Sequence, residues 1–355
     1  MSTAGSSRVR FPNLSAEAFI SETDQAAMRN LQRIPLLPWA LRKFHEHAMD
    51  HVLYAYNSAE SVRCSPTQFP TLYRILREGC EVLDLPEPEL YVRYSPSYNA
   101  YTAGMERTFI VLHSSLVEGF TDDELRYVIG HELGHVKCSH VLYLMIGRML
   151  LALLQAYGRV APGMGPLAVM PLLSAFYEWT RQAEISCDRA GLLVCQDPRT
   201  AFSAIMKLGC GSSRFDHEMN VDAFLAQARD YSDAVGPDAL GKMLLFVMYS
   251  WHLDHPQVIY RAKALDEWIH EGAYHRILRG NYVRVPQDPR TTVCPSCNCR
   301  VSVGVPYCPG CGTDLRKDAG GTTCGKCKEE VPRGIRFCPN CGAQADTTVE
   351  EEEPI

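Results

Sequence analysis

The feature that most limits how this chain can fold is a repeated pattern of cysteines near its end. Two units with identical internal spacing (C-x2-C-x10-C-x2-C) follow each other at a period of 30 residues. Each unit supplies four thiolates, enough for one closed tetrahedral structural Zn²⁺ site. A segment with so few apolar side chains could hardly fold without such metals. The cysteines are Cys294, Cys297, Cys308 and Cys311 in the first unit, and Cys324, Cys327, Cys338 and Cys341 in the second.

This cysteine-rich part resembles a double zinc ribbon, which implies two structural zinc ions. It carries eight basic and six acidic side chains between residues 286 and 346. Eight thiolates around two Zn²⁺ add a net negative charge, so the segment is a poor match for phosphate and nucleic acid is an unlikely partner. We expect it to dock a protein partner or to regulate the rest of the chain.

The compartment is indicated by the N-terminus and by the use of cysteine. The first residues show no apolar stretch followed by a cleavage pattern, so we expect no secretory signal. In such a chain, paired cysteines are metal ligands rather than disulfides. The sequence therefore predicts a cytoplasmic protein, with the cytoplasmic face of a membrane as the alternative.

Composition divides the chain of 355 residues into three parts. Residues 1–285 are mixed and mostly helical in pattern, and two prolines after Val285 indicate a linker. Residues 286–345 form the ribbon module, and residues 346–355 form an acidic tail that we expect to be disordered. The predicted fold class is mainly α with a small antiparallel sheet (α+β), plus a small β-type ribbon module.

Local patterns predict the elements of the first part. A Thr121–Glu124 capping box opens a helix that should run to at least His140. Asp197-Pro198 and His255-Pro256 each place a proline at the start of a further helix. The remaining predicted elements are helices over 24–51, 68–83 and 171–193 and strands over 89–94 and 108–113.

The apolar stretch 141–177 leaves two interpretations open. Its first half is 17 residues long, about 25 Å as a helix, which is short of the roughly 30 Å hydrocarbon core of a bilayer. Arg148 lies in its middle, where a charge is costly in lipid. Buried core helices are favoured, and a membrane-associated hairpin is the alternative.

His131-Glu132-Leu133-Gly134-His135 is an H-E-x-x-H pattern within the helix that Thr121 opens. Positions i and i+4 lie on one face, so His131 and His135 can bind one Zn²⁺ together. Glu132 lies beside them and is placed to take a proton from a water molecule at the metal. By itself this short pattern can occur by chance, so a third ligand has to support it.

Two routes to a third ligand can be compared. A longer pattern with a further histidine fails, because Val141 occupies that position, and His140 should point away from His131 around the helix. A downstream pair, Glu184 and Asp188, lies four residues apart on a second helix. Glu184 can bind zinc while Asp188 accepts a hydrogen bond from a ligand imidazole. Each acid alone would be an ordinary solvated charge, but together they fit a metal site.

With these motifs the chain resembles the HtpX-like and CAAX prenyl endopeptidase-type zinc metallopeptidases, a branch of the gluzincins. The resemblance covers most of residues 15 to 270. It is carried by H-E-x-x-H at 131–135, E-x-x-x-D at 184–188, His255-Pro256 followed by Arg261, and Asn99-Ala100-Tyr101.

The resemblance implies further roles. In such enzymes an edge strand before the active-site helix pairs with the extended substrate, and residues 108–113 would supply it here. Asn99 and His255 would approach the metal, and Arg261 would serve the second shell or the substrate. The apolar stretch after the active-site helix is shorter here than the transmembrane hairpins of relatives, which puts membrane residence in doubt.

The sequence therefore predicts a zinc-dependent endopeptidase with one catalytic and two structural zinc ions. Glu132 would activate the metal-bound water, and zinc with His255 would stabilise the oxyanion. Two rival hypotheses are a catalytically weak scaffold that recruits partners through its ribbons and a ribbon-led nucleic-acid factor. Retention of Glu132 beside all three ligands favours the enzyme, because a scaffold needs the metal but not the base.

Overall fold

The computed structural model divides into two compact units, Met1–Pro286 and Gln287–Ile355. In the first unit the structure describes residues 8–26, 50–104, 107–141, 165–212, 214–233 and 257–285. In the second it describes 291–293, 300–302, 305–307, 314–315, 322–323, 326–328, 330–331, 341 and 343. Each unit is considered by itself.

The described part of the first unit is mainly helical with one small sheet, which confirms the predicted fold class. Its helices are α1 (Asp50–Glu60), α2 (Pro70–Leu83), α3 (Ser114–Gly119), α4 (Asp122–Lys137), α5 (Gly165–Cys195), α6 (Pro198–Cys210), α7 (Val221–Asp233), α8 (Val258–His270) and α9 (Ala273–Leu278). Its strands are β1 (Val62–Arg63), β2 (Glu89–Arg93), β3 (Ala100–Ala103) and β4 (Phe109–His113).

The sheet has the strand order β1-β2-β4-β3. It is mixed rather than wholly antiparallel, because β2 and β4 run parallel while β3 and β4 run antiparallel. The segment 108–113 was predicted as the edge strand that receives substrate, and this assignment is wrong. It forms β4, which lies between two neighbours, and the edge next to the active-site helix is β3.

Helix α4 begins at the predicted capping box, where Thr121 Oγ1 accepts from the Glu124 backbone N–H and the Glu124 carboxylate accepts from the Thr121 N–H. The helix ends at Lys137, so the predicted extension to at least His140 is wrong. Ser139 adopts a left-handed φ of 57°, and this breaks the helix and turns the chain back. His140 therefore becomes completely buried instead of facing away from the site.

Helices α4 and α5 form the centre of the unit and approach each other closely at small residues. A Cβ placed on Gly134 would lie 2.9 Å from the Ala190 Cβ and 3.0 Å from the Cys187 Cα. A Cβ on Gly191 would lie 2.8 Å from the backbone oxygen of Tyr127. Glycine at these positions thus allows the backbones to meet, and this close approach brings the two predicted motifs together.

None of the helices within the described residues is long and apolar enough to cross a membrane. Helix α5 begins at Gly165, six residues earlier than predicted, and contains the end of the apolar stretch 141–177. Residues 142–164 of that stretch lie outside the described residues.

The second unit contains two short antiparallel hairpins. Strand β5 (Thr291–Val293) pairs with β6 (Arg300–Ser302), and β7 (Thr322–Thr323) pairs with β8 (Glu330–Val331). Each hairpin belongs to one of the two cysteine units, so the sequence period of 30 residues has a structural counterpart.

Candidate metal centre

Three of the predicted ligands meet where α4 faces α5. The two carboxylate oxygens of Glu184 lie 3.3 Å from His131 Nε2 and 3.3 Å from His135 Nε2. All three side chains are buried. The arrangement gathers two imidazole nitrogens and a carboxylate, which are the donor atoms that Zn²⁺ takes in catalytic sites.

Asp188 and Arg261 fix the other side of His131. The Asp188 Oδ1 atom lies 2.9 Å from His131 Nδ1 and accepts a hydrogen bond of 2.6 Å from the Tyr127 hydroxyl. Arg261, on α8, donates to both oxygens of Asp188. An acceptor at Nδ1 holds the proton of His131 there, so that the lone pair of Nε2 can bind a metal.

The electrostatics of this cluster follow from its burial and its charges. Burial opposes protonation of His131, but Glu184 and Asp188 outweigh it and raise the pKa of His131 to about 9. Burial also opposes ionisation of Asp188, but Arg261 and His131 outweigh it and hold the pKa of Asp188 well below its usual range. The raised pKa of His131 reflects the two carboxylates beside its ring, and the lowered pKa of Asp188 reflects the positive charge of Arg261.

Zinc fits this donor set. Three buried carboxylates, those of Glu132, Glu184 and Asp188, face a single buried guanidinium, that of Arg261. With both imidazoles neutral, as metal binding requires, an excess of two negative charges remains, and this suits a divalent cation because buried carboxylates are tolerated when paired or bound to metal. His131, His135 and Glu184 are the residues that would hold it.

Cys187 offers a different third donor. One ligand atom each from His131, His135 and Cys187 lies within 4.8 Å of the others. Burial raises the pKa of the Cys187 thiol well above its usual range, and nearby Cys138 and Glu184 add to this shift. A thiol that resists ionisation is a weak competitor for an ionised carboxylate, because the thiolate is the form that binds metal.

The predicted base Glu132 lies at the wall of a cleft of about 100 Å³. Its Oε2 atom accepts a hydrogen bond of 2.6 Å from the hydroxyl of Thr102, which lies on edge strand β3. The cleft is lined by His131, Asn99 and Arg261 on its polar side and by Val128, Leu208 and Val258 on its apolar side.

The predicted site residues thus fall into three groups. His131, Glu132, His135, Glu184, Asp188 and Arg261 meet in one buried cluster, and Asn99 lines the adjoining cleft. His255 lies outside the described residues, as do all the ribbon cysteines except Cys327 and Cys341, which are half-buried.

Sequence reasoning missed two residues of the site. Tyr127 precedes His131 by one helical turn, and this spacing could have indicated a shared face. Thr102 follows the Asn99-Ala100-Tyr101 motif directly, but only the strand order brings it to Glu132.

The fold and the cluster together define a zinc metallopeptidase. The sequence model of Peptidase family M48 matches residues 66–269, and that of the double zinc ribbon matches residues 294–342. The chain therefore belongs to peptidase family M48 and carries a double zinc ribbon, which confirms the resemblance noted above.

Relatives agree with this assignment. The plastoglobule-localized metallopeptidase 48, chloroplastic, of Arabidopsis thaliana is 37% identical over 271 residues, covering 76% of this chain and 77% of the relative. A protease HtpX homolog of Paraburkholderia phytofirmans is 27% identical over 177 residues, covering 44% of this chain and 61% of the relative. The crystal structure of S. mikatae Ste24p matches over 72% of this chain and 68% of its own at 18% identity, with a TM-score of 0.37.

Proposed function

We propose that this chain is a zinc-dependent endopeptidase in which His131, His135 and Glu184 hold the catalytic ion and Glu132 is the general base. The observation that carries the proposal is the meeting of both His Nε2 atoms with the two oxygens of Glu184, at 3.3 Å each. Glu132 adjoins this cluster from the same helix and borders the cleft.

The chemistry assigns each residue a role. When bound, the zinc ion lowers the pKa of a water molecule and polarises the scissile carbonyl. Glu132 accepts a proton as the water oxygen bonds to the carbonyl carbon. It then returns that proton to the amine nitrogen as the C–N bond breaks. Thr102 orients the carboxylate of Glu132 throughout.

Strand β3 is suited to bind an extended polypeptide. The His113 N–H donates to the Asn99 oxygen at 3.0 Å, so these two residues form a hydrogen-bonded pair across β3 and β4. Pairs alternate along an antiparallel ladder, so Ala100 and Thr102 direct their peptide groups away from β4. An added strand there would run directly past Glu132.

Several sequence-based roles remain part of the proposal. His255 is the candidate for a second donor to the oxyanion, and Asn99 and Arg261 border the bound substrate. The ribbon cysteines hold two structural zinc ions, four thiolates to each, and the ribbons dock a protein partner rather than nucleic acid. Cysteines that bind metal rather than form disulfides are typical of reducing compartments, which supports the cytoplasm or the cytoplasmic face of a membrane.

The proposal is tested by digesting a denatured model protein with the full chain loaded with zinc. We expect internal cleavage that a chelator abolishes and added zinc restores. Glu132→Gln should keep all its zinc and lose at least 100-fold in kcat, because it removes the base and no ligand. A kcat of Glu132→Gln comparable to that of the wild-type protein would overturn the role of Glu132.

The scaffold hypothesis is less well supported, because a scaffold has no use for a base held beside the ligands. It predicts a different result in the same assay, namely full zinc content in the wild-type protein with no cleavage of any unfolded substrate.

A further inference from the structure

We propose that His140 and Asp24 position the metal ligand His135, in the way that Asp188 positions His131. The inference rests on the proposed zinc site and adds two positioning residues to it. Neither residue touches the cleft, and no other role is assigned to either of them.

The contacts form one buried line. His135 Nδ1 lies 3.3 Å from His140 Nδ1, and His140 Nε2 lies 3.0 Å from Asp24 Oδ2. The second contact has hydrogen-bond length, although the ring N–H is not well aligned with the carboxylate. His140 and Asp24 are both fully buried.

Metal binding at His135 Nε2 favours one placement of the protons along this line, and the Cys187 Sγ atom, 3.5 Å from His140 Nδ1, is a second neighbour of that nitrogen. His135 must keep its Nε2 lone pair for the metal, so its proton lies on Nδ1 and is donated to His140. His140 then accepts through Nδ1, so its own proton lies on Nε2 and faces Asp24. Each of the two ligand histidines therefore has a carboxylate behind it, Asp188 directly for His131 and Asp24 through His140 for His135.

Asp24 is itself held in place by groups that are not metal ligands. Its Oδ2 accepts a hydrogen bond of 2.6 Å from the Ser186 hydroxyl, and its Oδ1 accepts one of 2.9 Å from Trp179 Nε1. The Ser186 oxygen also accepts from the Ser21 backbone N–H at 3.0 Å. Two donors thus fix a buried carboxylate behind His140, and the contact from Ser21 joins the N-terminal segment to α5.

The break in α4 is what makes the line possible. A helix continued past Lys137 would carry His140 around to another face, whereas Ser139 in the left-handed region turns it inward. A non-glycine residue rarely adopts that region, because its Cβ then lies too close to the following carbonyl oxygen. The contacts of His140 with His135 and Asp24 give a reason why this conformation is kept.

The test compares two substitutions of His140 in the full-length protein. His140→Gln keeps an acceptor for His135 and a donor for Asp24, whereas His140→Leu fills similar space and keeps neither. We expect His140→Leu to weaken zinc binding by the peptidase domain about 10- to 100-fold, and His140→Gln to recover most of that loss. Zinc affinity is measured by competition with a chromophoric chelator, independently of activity.

Two further variants serve as references. Glu184→Ala identifies which zinc ion belongs to the peptidase domain. Lys207→Met removes a different buried ion pair, with Glu124 at 2.9 Å, and controls for a general loss of stability. Asp24→Asn should weaken the same zinc ion, whereas Lys207→Met should not.

Equal zinc affinity in His140→Leu and wild type, with the expected loss in Glu184→Ala, would overturn the positioning role and leave the proposed function intact. Equal losses in His140→Leu and His140→Gln would also overturn it, since they would indicate packing alone. If Glu184→Ala releases no zinc, the proposed ligand set is wrong. In that case the positioning role stands only if His140→Leu still releases one zinc ion, and otherwise it is overturned as well.

Discussion

The hydroxyl of Thr102 donates a hydrogen bond of 2.6 Å to the carboxylate of Glu132 and lies 3.2 Å from the backbone oxygen of the same residue. A hydroxyl has one proton, and the shorter contact assigns it to the carboxylate. The candidate base is therefore tied to the edge strand along which a substrate would lie.

Thr102→Val should lower kcat about 10- to 100-fold with little change in KM. The reason is that a hydrogen bond to a charged group contributes about 1.5–3 kcal/mol, and valine keeps the shape of threonine without its donor. Steady-state kinetics on an unstructured peptide measure the effect. Thr102→Ser keeps the hydroxyl and is the matched control, so a loss as large in Thr102→Ser would point to packing instead.

Glu184→Ala should release one zinc ion per chain, while Cys187→Ser should release none. Glu184 contacts both imidazole rings, and Cys187 is a buried thiol whose pKa is raised. Metal analysis after extensive dialysis gives the count, with the ribbon zinc ions as an internal reference. If Cys187→Ser released one zinc ion and Glu184→Ala released none, Cys187 would be the third ligand.

Asp188→Asn should weaken zinc binding about 10- to 100-fold and also destabilise the fold by about 3 kcal/mol. The second effect arises because Arg261 would remain buried without its main counter-ion, with Glu184 at 3.8 Å as partial compensation. Adding Arg261→Met should restore much of the unfolding free energy but not the zinc affinity. If Arg261→Met restored the unfolding free energy and the zinc affinity together, Asp188 and Arg261 would not have separate roles.

Stability should fall in mild acid partly through Glu124, which caps the active-site helix. Burial opposes its ionisation, but hydrogen bonds from Ser203 and Lys207 outweigh this and lower its pKa below the ordinary 4.5. Its stabilisation is therefore complete above that value and is lost as the pH falls through the lower value of the folded state. Urea unfolding from about pH 7 down to about pH 3 should show a smaller decline in the free energy of unfolding for Glu124→Gln than for wild type, and an equal decline would exclude this contribution.

A chain truncated after Pro286 should fold, bind one zinc ion and cleave an unstructured peptide. The cut spares backbone hydrogen bonds that join the end of the first unit to its beginning, from Val285 N–H to Asn13 O at 2.8 Å and from Ser15 N–H to Val283 O at 3.0 Å. A cut after Gly280 removes them and should lower the melting temperature. An insoluble or zinc-free product of the first cut would show that the ribbons belong to the peptidase core.

Local sequence was sufficient for elements whose signals are contained within a few residues. Thr121 with Glu124 and Asp197 with Pro198 fix the starts of α4 and α6, because each satisfies backbone groups in its own first turn. The spacing in 131–135 and 184–188 likewise determines which side chains share a helical face. Family membership follows from these motifs, and the comparisons confirm it.

Strand order could not be obtained in this way, because a strand's neighbours are chosen by packing between distant segments. Residues 108–113 have a stronger apolar pattern than 100–103, and that strength is the mark of a buried central strand rather than an edge.

The end of helix α4 was missed for a related reason. Nothing in Lys137 to His140 stops a helix by propensity alone, and the turn at Ser139 brings His140 into contact with Asp24, a residue far away in the chain.

The sequence by itself thus determined the donor atoms, their spacing along two helices and the cysteine module, since these depend on chemistry within a single segment. Only the tertiary structure decided that Thr102 meets Glu132, that β3 is an edge strand among the described residues, and that His140 and Asp24 lie behind His135. The most distant of these residues, Asp24 and His140, are 116 positions apart in the chain. Contacts between such distant residues form only when the whole core packs, so they cannot be read from a short stretch of sequence.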